Sequence, residues 1–213
     1  MARGKPGLGL AGTAGLPMTI GVSLDRLRRN AAGCTDCELY RNATQTVFGA
    51  GPASSWLMLI GEQPGDQEDR QGAPFVGPAG RILDTALQRA GIDREEVYVT
   101  NAVKHFRFEA DGKRRLHKTP TVGHVRACRQ WLDGELDAVA PAVLATLGAT
   151  AAKALLGSGF AITKERGTPR EWEGRQLVPT VHPSSILRGP PEARAEALDA
   201  LVADLTVVAS LRP

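Results

Sequence analysis

The stretch "WLMLIG", residues 56–61, decides the fold. Five apolar residues run together with neither alternating nor helical spacing and stop at a glycine. That is how a strand reads when both of its faces are covered, the usual situation in a parallel sheet. Outward from it, "VYVTNAV" (97–103), "AVLATLG" (142–148) and "LVPTVH" (177–182) read as further strands, the last made irregular by Pro179, which has no N–H to give to a ladder. Helical segments lie around them. Residues 23–31 form one, with Ser23 as N-cap. Residues 77–91 form another, with Ile82, Leu83, Ala86, Leu87 and Ala90 on one face and Gly91 as the stop. Residues 120–139 follow, with Pro120 in the first turn and Val125, Cys128, Leu132 and Leu136 on one side; then come "ATAAKALLG" and a last helix over 191–208. This alternation predicts an α/β protein: a single three-layer αβα domain over residues 23–213 with a central, mainly parallel four-stranded sheet. In such folds the site lies beyond the carboxyl ends of the strands, which here carry "GEQPGDQED", "TNAVKH", "LGATAAK" and "VHPSSILRG".

The chain has 213 residues, 42% hydrophobic and 23% charged, an ordinary globular composition; aromatics are 5%, so aliphatic side chains must build the core. A net charge of +3 is a weak argument for nucleic acid, and local clustering matters more. Three cysteines do not suit a fully paired disulfide framework. Residues 1–22 have a basic start, but six glycines and two prolines interrupt any signal-peptide core, so a disordered leader is expected. There is no run of about 18 apolar residues, so no membrane span is expected, and a reducing, cytoplasmic setting follows.

Two clusters carry chemistry. Cys34-Thr-Asp-Cys37 and Cys128 supply three soft ligands, and His105, between a strand and the helix bearing Cys128, is a candidate fourth. Residue types alone leave zinc, an iron–sulfur cluster and buried free thiols all open. In "KRRLHKTP" (113–120), Lys113, Arg114, Arg115 and Lys118 surround His117, with Asp111 and Gly112 forming a tight turn ahead of them. A loop of this kind suits phosphate contact, whether or not His117 does chemistry.

Several segments, taken in order, resemble one family. "CTDCELY" (34–40), "GEQPGDQEDRQGAPFVGPAGRILD" (61–84), "VYVTNAVKH" (97–105) and "VHPSSILRG" (181–189) are similar to the motifs of the iron–sulfur uracil-DNA glycosylases, and the likeness runs over about residues 30 to 205. Family 4 of that group has cysteine where this chain has His105. Gln63, His105 and the insert "KRRLHKTP" instead resemble family X (UdgX), in which a loop histidine becomes covalently joined to DNA after uracil is removed. The resemblance implies a structural [4Fe-4S] cluster held by Cys34, Cys37, His105 and Cys128. It also implies uracil-containing DNA as partner, single-stranded by preference, and a monomeric protein that traps itself through His117. A conventional family 4 turnover glycosylase and a non-catalytic metal-containing DNA-binding module are the alternatives.

The resemblance assigns Asn101 to reading the carbonyl and N–H edge of uracil, which an amide complements. Phe75 would stack on the base, and Gln63 would contribute through its backbone or amide. His182 would donate to a uracil carbonyl as negative charge develops there, and Ser184, Ser185 and Arg188 would meet phosphate. Glu62, directly after a strand, is the favoured carboxylate for the sugar cation or for a proton, with Asp66 the second candidate. The cations of the loop would lower the pKa of His117 and leave it neutral for attack.

Overall fold

The computed structural model describes residues 23–213; the expected leader, residues 1–22, lies outside the described residues. The first helix, α1 (Leu24–Ala31), is capped by Ser23, whose hydroxyl accepts from the Arg26 N–H at 3.3 Å. The deciding strand is β1 (Leu57–Gly61), with every residue buried. After it come α2 (Asp66–Gln71), α3 (Pro78–Arg89) and β2 (Val97–Asn101). A small hairpin follows, β3 (Phe108–Asp111) and β4 (Arg114–His117), and then α4 (Val122–Val139). The rest is β5 (Val143–Leu147), α5 (Ala149–Leu156), α6 (Ile162–Glu165), β6 (Arg170–Trp172), β7 (Arg175–Thr180), α7 (Pro183–Arg188) and α8 (Arg194–Ser210).

The sheet order is β2-β1-β5-β7-β6. The four expected strands are parallel to one another, and both faces of the sheet are covered, so the fold is the α/β sandwich anticipated from the alternation. A fifth strand corrects the expected count: β6 pairs antiparallel with β7 at the edge. Its three residues are only partly buried, so the apolar signal that marks the central strands is missing. Leu57, Leu59, Val97, Val99 and Val143 pack on one face against Leu83, Leu87, Leu201 and Leu205 from α3 and α8. Met58, Ile60, Tyr98 and Leu144 pack on the other against Leu132 and Leu136 of α4 and Ala151 of α5. At roughly 1.5–3 kcal/mol for each fully buried large aliphatic side chain, these two layers dominate the stability of the fold.

Two local readings change. Helix α4 starts after Pro120 rather than on it, because Thr121 forms the cap: its hydroxyl accepts from the His124 N–H at 3.3 Å, and His124 Nδ1 accepts from the Thr121 N–H at 3.1 Å. The middle of the basic segment, Arg114–His117, is a strand of a hairpin rather than a loop. Asp111 pairs with Arg114 across a two-residue turn, and Gly112, at φ 56°, supplies the left-handed conformation that such a turn needs. Among the described residues no helix is long and apolar enough to cross a membrane.

Candidate functional site

Parallel register puts Gly61 beside Asn101 at the carboxyl ends of β1 and β2. The ladder continues past both strands, with the Ala102 N–H bonded to the Gly61 carbonyl and the Val103 N–H to the Glu62 carbonyl, at 2.9 and 3.0 Å. Glu62 is therefore fixed in backbone as it leaves the sheet. A Cβ on Gly61 would fall 2.3 Å from Asn101 Oδ1 and 2.8 Å from Phe75 Cζ, so three segments converge where the glycine leaves room. Phe75 enters with φ 56°, and its ring is stacked on His182 at 6.1 Å between centroids. A non-glycine residue at positive φ is uncommon, and here it turns an aromatic ring towards the strand ends.

His182 caps α7. Its Nδ1 accepts from the Ser184 N–H at 3.1 Å and lies 2.8 Å from the Ser184 hydroxyl. A backbone N–H can only donate, so Nδ1 carries no proton. Burial first, then Arg188 and His117, push the His182 pKa down to about 4. The ring is therefore neutral near pH 7 with its one hydrogen on Nε2, which is a hydrogen-bond donor.

On the other wall Glu62 divides its two oxygens. Oε2 accepts a hydrogen bond from the Thr150 hydroxyl, and Oε1 lies 3.4 Å from His117 Nε2. The His117 side chain is 45% exposed and Glu62 20%, so the pair opens to solvent on the imidazole side. The His117 pKa lies below its ordinary value: burial lowers it most, Glu62 pulls it back up, and Arg188 lowers it further. The direction matches the expectation and the cause does not. The neighbouring cation is Arg188 of α7 rather than the charges of the hairpin.

The hairpin that carries His117 is clamped at its base. Gln63, buried, donates from Nε2 to the carbonyls of Arg107 and Lys118, at 3.2 and 3.1 Å, and accepts the Arg107 N–H on Oε1 at 3.0 Å. Its amide is thus spent on the hairpin, not on a base. Arg115 does not point to solvent with its neighbours. Its guanidinium lies between Asp66 and Asp69, bonded to both, and stacks over the rings of Phe106 and Phe108 at 5.4 and 5.0 Å. Two carboxylates neutralise it, so its charge is engaged within the protein, unlike the free phosphate-contacting cation expected from the sequence. Asp66 is correspondingly held by Arg70 and Arg115; partial burial works to raise its pKa, and the two guanidinium groups outweigh that and keep the carboxyl below the ordinary range. Lys113 and Arg114 are exposed, and Lys118 pairs with Glu109 at 2.7 Å on the surface. Ser185 donates to the His182 carbonyl at 2.7 Å, and Arg188 donates to the Ser184 hydroxyl at 2.9 Å, so these three side chains brace α7 around His182.

Cys34, Cys37 and Cys128 are free. Cys37 and Cys128 pack with Leu39 and Val103, and Cys128 Sγ accepts the Lys104 N–H at 3.4 Å. Burial raises the thiol pKa of both, that of Cys128 to about 11. His105 bonds Thr46 through Nε2 at 2.9 Å, while its Nδ1 is buried without a partner. Three neighbouring thiols and an orphaned imidazole nitrogen fit the donor set of a soft metal group. Among the described residues, no three His, Cys, Asp or Glu side chains are drawn close enough together to hold a single metal ion as they stand.

Beside the strand ends lies a buried network that the sequence does not announce. Lys104 and Glu135, both fully buried, pair at 2.6 Å. Lys104 Nζ also donates to the Thr100 hydroxyl and to the Asn101 carbonyl, at 2.6 and 2.8 Å. Glu135 accepts from the Gly49 N–H, the Tyr98 hydroxyl and the Thr100 hydroxyl, at 2.9, 3.1 and 2.8 Å. Thr150 was also missed, although it stands in "LGATAAK", one of the four strand ends singled out as the place to look.

Comparison with known proteins identifies the family. The chain matches the Uracil DNA glycosylase superfamily over residues 48–206. A type-4 uracil-DNA glycosylase of Thermotoga maritima is 40% identical over 157 residues, which is 73% of this chain and 78% of that protein. Type-4 uracil-DNA glycosylases of Sulfurisphaera tokodaii and Archaeoglobus fulgidus are each 32% identical over 79% of this chain, and the matches span 77% and 85% of those proteins. With the matched segment taking in β1 through most of α8, and with them the side chains gathered at the strand ends, the chain belongs to the uracil DNA glycosylase superfamily.

Proposed function

We propose that the protein excises uracil from DNA and that His117 then bonds to the deoxyribose it has exposed. The partner is uracil-containing DNA, single-stranded by preference because flipping a base out of a duplex costs a few kcal/mol, and the protein acts as a monomer. Uracil enters between Phe75 and the end of β2. Asn101 meets its hydrogen-bonding edge, and the neutral His182 donates from Nε2 to a carbonyl oxygen. As the bond between C1′ and N1 breaks, its electron pair leaves with uracil and positive charge builds on the sugar, next to the Glu62 carboxylate.

The lone pair of the neutral His117 ring then forms a bond to C1′. The ring becomes an imidazolium and releases the proton on its other nitrogen to Glu62, the nearest acceptor, from which it passes to the departed uracil anion. The sum exchanges one C–N bond for another and leaves uracil free. Water would give an abasic site instead, but a tethered imidazole has an effective concentration that solvent must beat. The observation that carries this reading is the position of His117, held by a clamped hairpin 3.4 Å from Glu62 beside the pocket.

The name of the Thermotoga relative favours a second reading, a turnover uracil-DNA glycosylase in which His117 only contacts DNA. Intact mass of the protein after mixing with a uracil-containing single strand separates the two. Capture predicts a protein–DNA adduct that survives denaturation, lost in His117→Ser with abasic DNA released in its place. Unmodified protein with many uracils released per molecule establishes turnover, and reversible, salt-sensitive binding without uracil release establishes a non-catalytic DNA-binding module.

Cys34, Cys37, His105 and Cys128 would hold a [4Fe-4S] cluster. Such a group supplies strong cross-links between the segment before β1, the chain after β2 and α4, a structural role. A brown protein with broad visible absorbance distinguishes it from zinc.

A further inference from the structure

Glu62 has two carboxylate oxygens and two competing uses. It can take the proton that His117 gives up on bonding to C1′, or it can take a proton from water attacking the same carbon. Both reactions begin from the same sugar cation, so the direction in which the carboxylate is turned decides between them. The fold restrains that direction from one side: the Thr150 hydroxyl, in the first turn of α5, donates to Oε2, and Oε1 is left facing His117 Nε2 at 3.4 Å.

We propose that Thr150 is a positioning residue that sets the partition between covalent capture and hydrolysis. By occupying Oε2 it withholds that oxygen from water and stops the carboxylate from rotating away from the imidazole. The inference rests on the capture reading above and deepens it. Capture needs an aligned acceptor on the His117 side, whereas hydrolysis needs only an acceptor that solvent can reach.

Thr150→Val keeps the side-chain volume and removes the donor, and Thr150→Ser keeps the donor. Each protein is mixed with a uracil-containing oligonucleotide; free uracil is measured by chromatography, and adduct and abasic strand are measured on one denaturing gel. The ratio of adduct to abasic strand comes from active molecules only, so a fall in the folded fraction does not move it. Loss of one hydrogen bond to a charged group predicts about a tenfold fall in that ratio for Thr150→Val, with recovery in Thr150→Ser. An unchanged ratio in Thr150→Val, or an equal fall in both variants, overturns the role of the hydroxyl while capture by the wild type stands. A wild type that releases uracil and forms no adduct overturns the capture reading, and the inference with it.

Discussion

His117 Nε2 faces Glu62 Oε1 across 3.4 Å, while the other oxygen of that carboxylate is held by Thr150. A base and its proton acceptor are thus set side by side, and the state of the imidazole controls the chemistry. Burial keeps the His117 pKa below its ordinary value of about 6.5, so the ring is already neutral at pH 7. The rate of adduct formation is predicted to rise with pH through that depressed pKa and to be flat above it. On the acid side it falls about tenfold per pH unit, one proton's worth, because His182 stays neutral down to about pH 4. Single-turnover rates between pH 4.5 and 8 test this. A rate that climbs as pH falls across that window rules out neutral imidazole as the attacking group.

Gln63 is predicted to act on capture rather than on base recognition. Gln63→Ala removes three hydrogen bonds at the base of the hairpin and leaves the Arg107 and Lys118 backbone groups to water or to no partner. The loss, on the order of 1–3 kcal/mol for unsatisfied buried groups, falls on the element that aims His117. Adduct formation should slow by about tenfold or more while uracil release changes less. Equal losses in both would return Gln63 to the uracil pocket.

Arg115 and Gln63 also show where the sequence was legible and where it was not. The central strands announced themselves because burial on both faces demands unbroken apolar runs, and the strand ends pointed to where Glu62, Asn101, Thr150 and His182 gather because a parallel sheet leaves its carboxyl ends open. Edge strand β6 and the hairpin gave no such signal, being short and partly exposed. Arg115 reads as one of four equivalent cations until the fold brings Asp66 and Asp69 to it from 49 and 46 residues away. The same holds for Lys104 and Glu135, separated by 31 residues, and for Glu62 and Thr150, separated by 88. Pairings across such separations are a property of topology, and residue types alone do not reveal them.

Gly61 is predicted to tolerate no side chain if the pocket is to receive a base. The Cβ of Gly61→Ala would lie 2.3 Å from Asn101 Oδ1 and 2.8 Å from Phe75 Cζ, below any real contact distance. Both neighbours are side chains and can shift, so the fold survives and the base site does not. Uracil release should fall by about a hundredfold or more, with the thermal midpoint lowered by only a few degrees. A fully active Gly61→Ala protein would place the base elsewhere in the cleft.

The buried pair of Lys104 and Glu135 leads to the last prediction, which turns on an asymmetry. Every proton of the ammonium and both oxygens of the carboxylate have partners, and both side chains are fully buried. Burying two charges costs nearly what their attraction returns, so the intact pair adds little net stability; removing one member strands the other. Lys104→Met leaves a buried carboxylate and should lower stability by roughly 3–5 kcal/mol, and Glu135→Leu leaves a buried ammonium at a similar cost. The double variant should recover much of that loss, because no charge is then left alone. Function need not follow stability. Lys104 Nζ also holds the Asn101 carbonyl at 2.8 Å, so the double variant should fold and still bind uracil poorly, with the strand end that presents Asn101 no longer fixed. Denaturant midpoints for the four proteins, together with uracil-release rates on the two that remain folded, separate the two effects. Additive losses in stability would show that the two groups do not act as a pair, and full activity in the double variant would show that Asn101 is placed without Lys104.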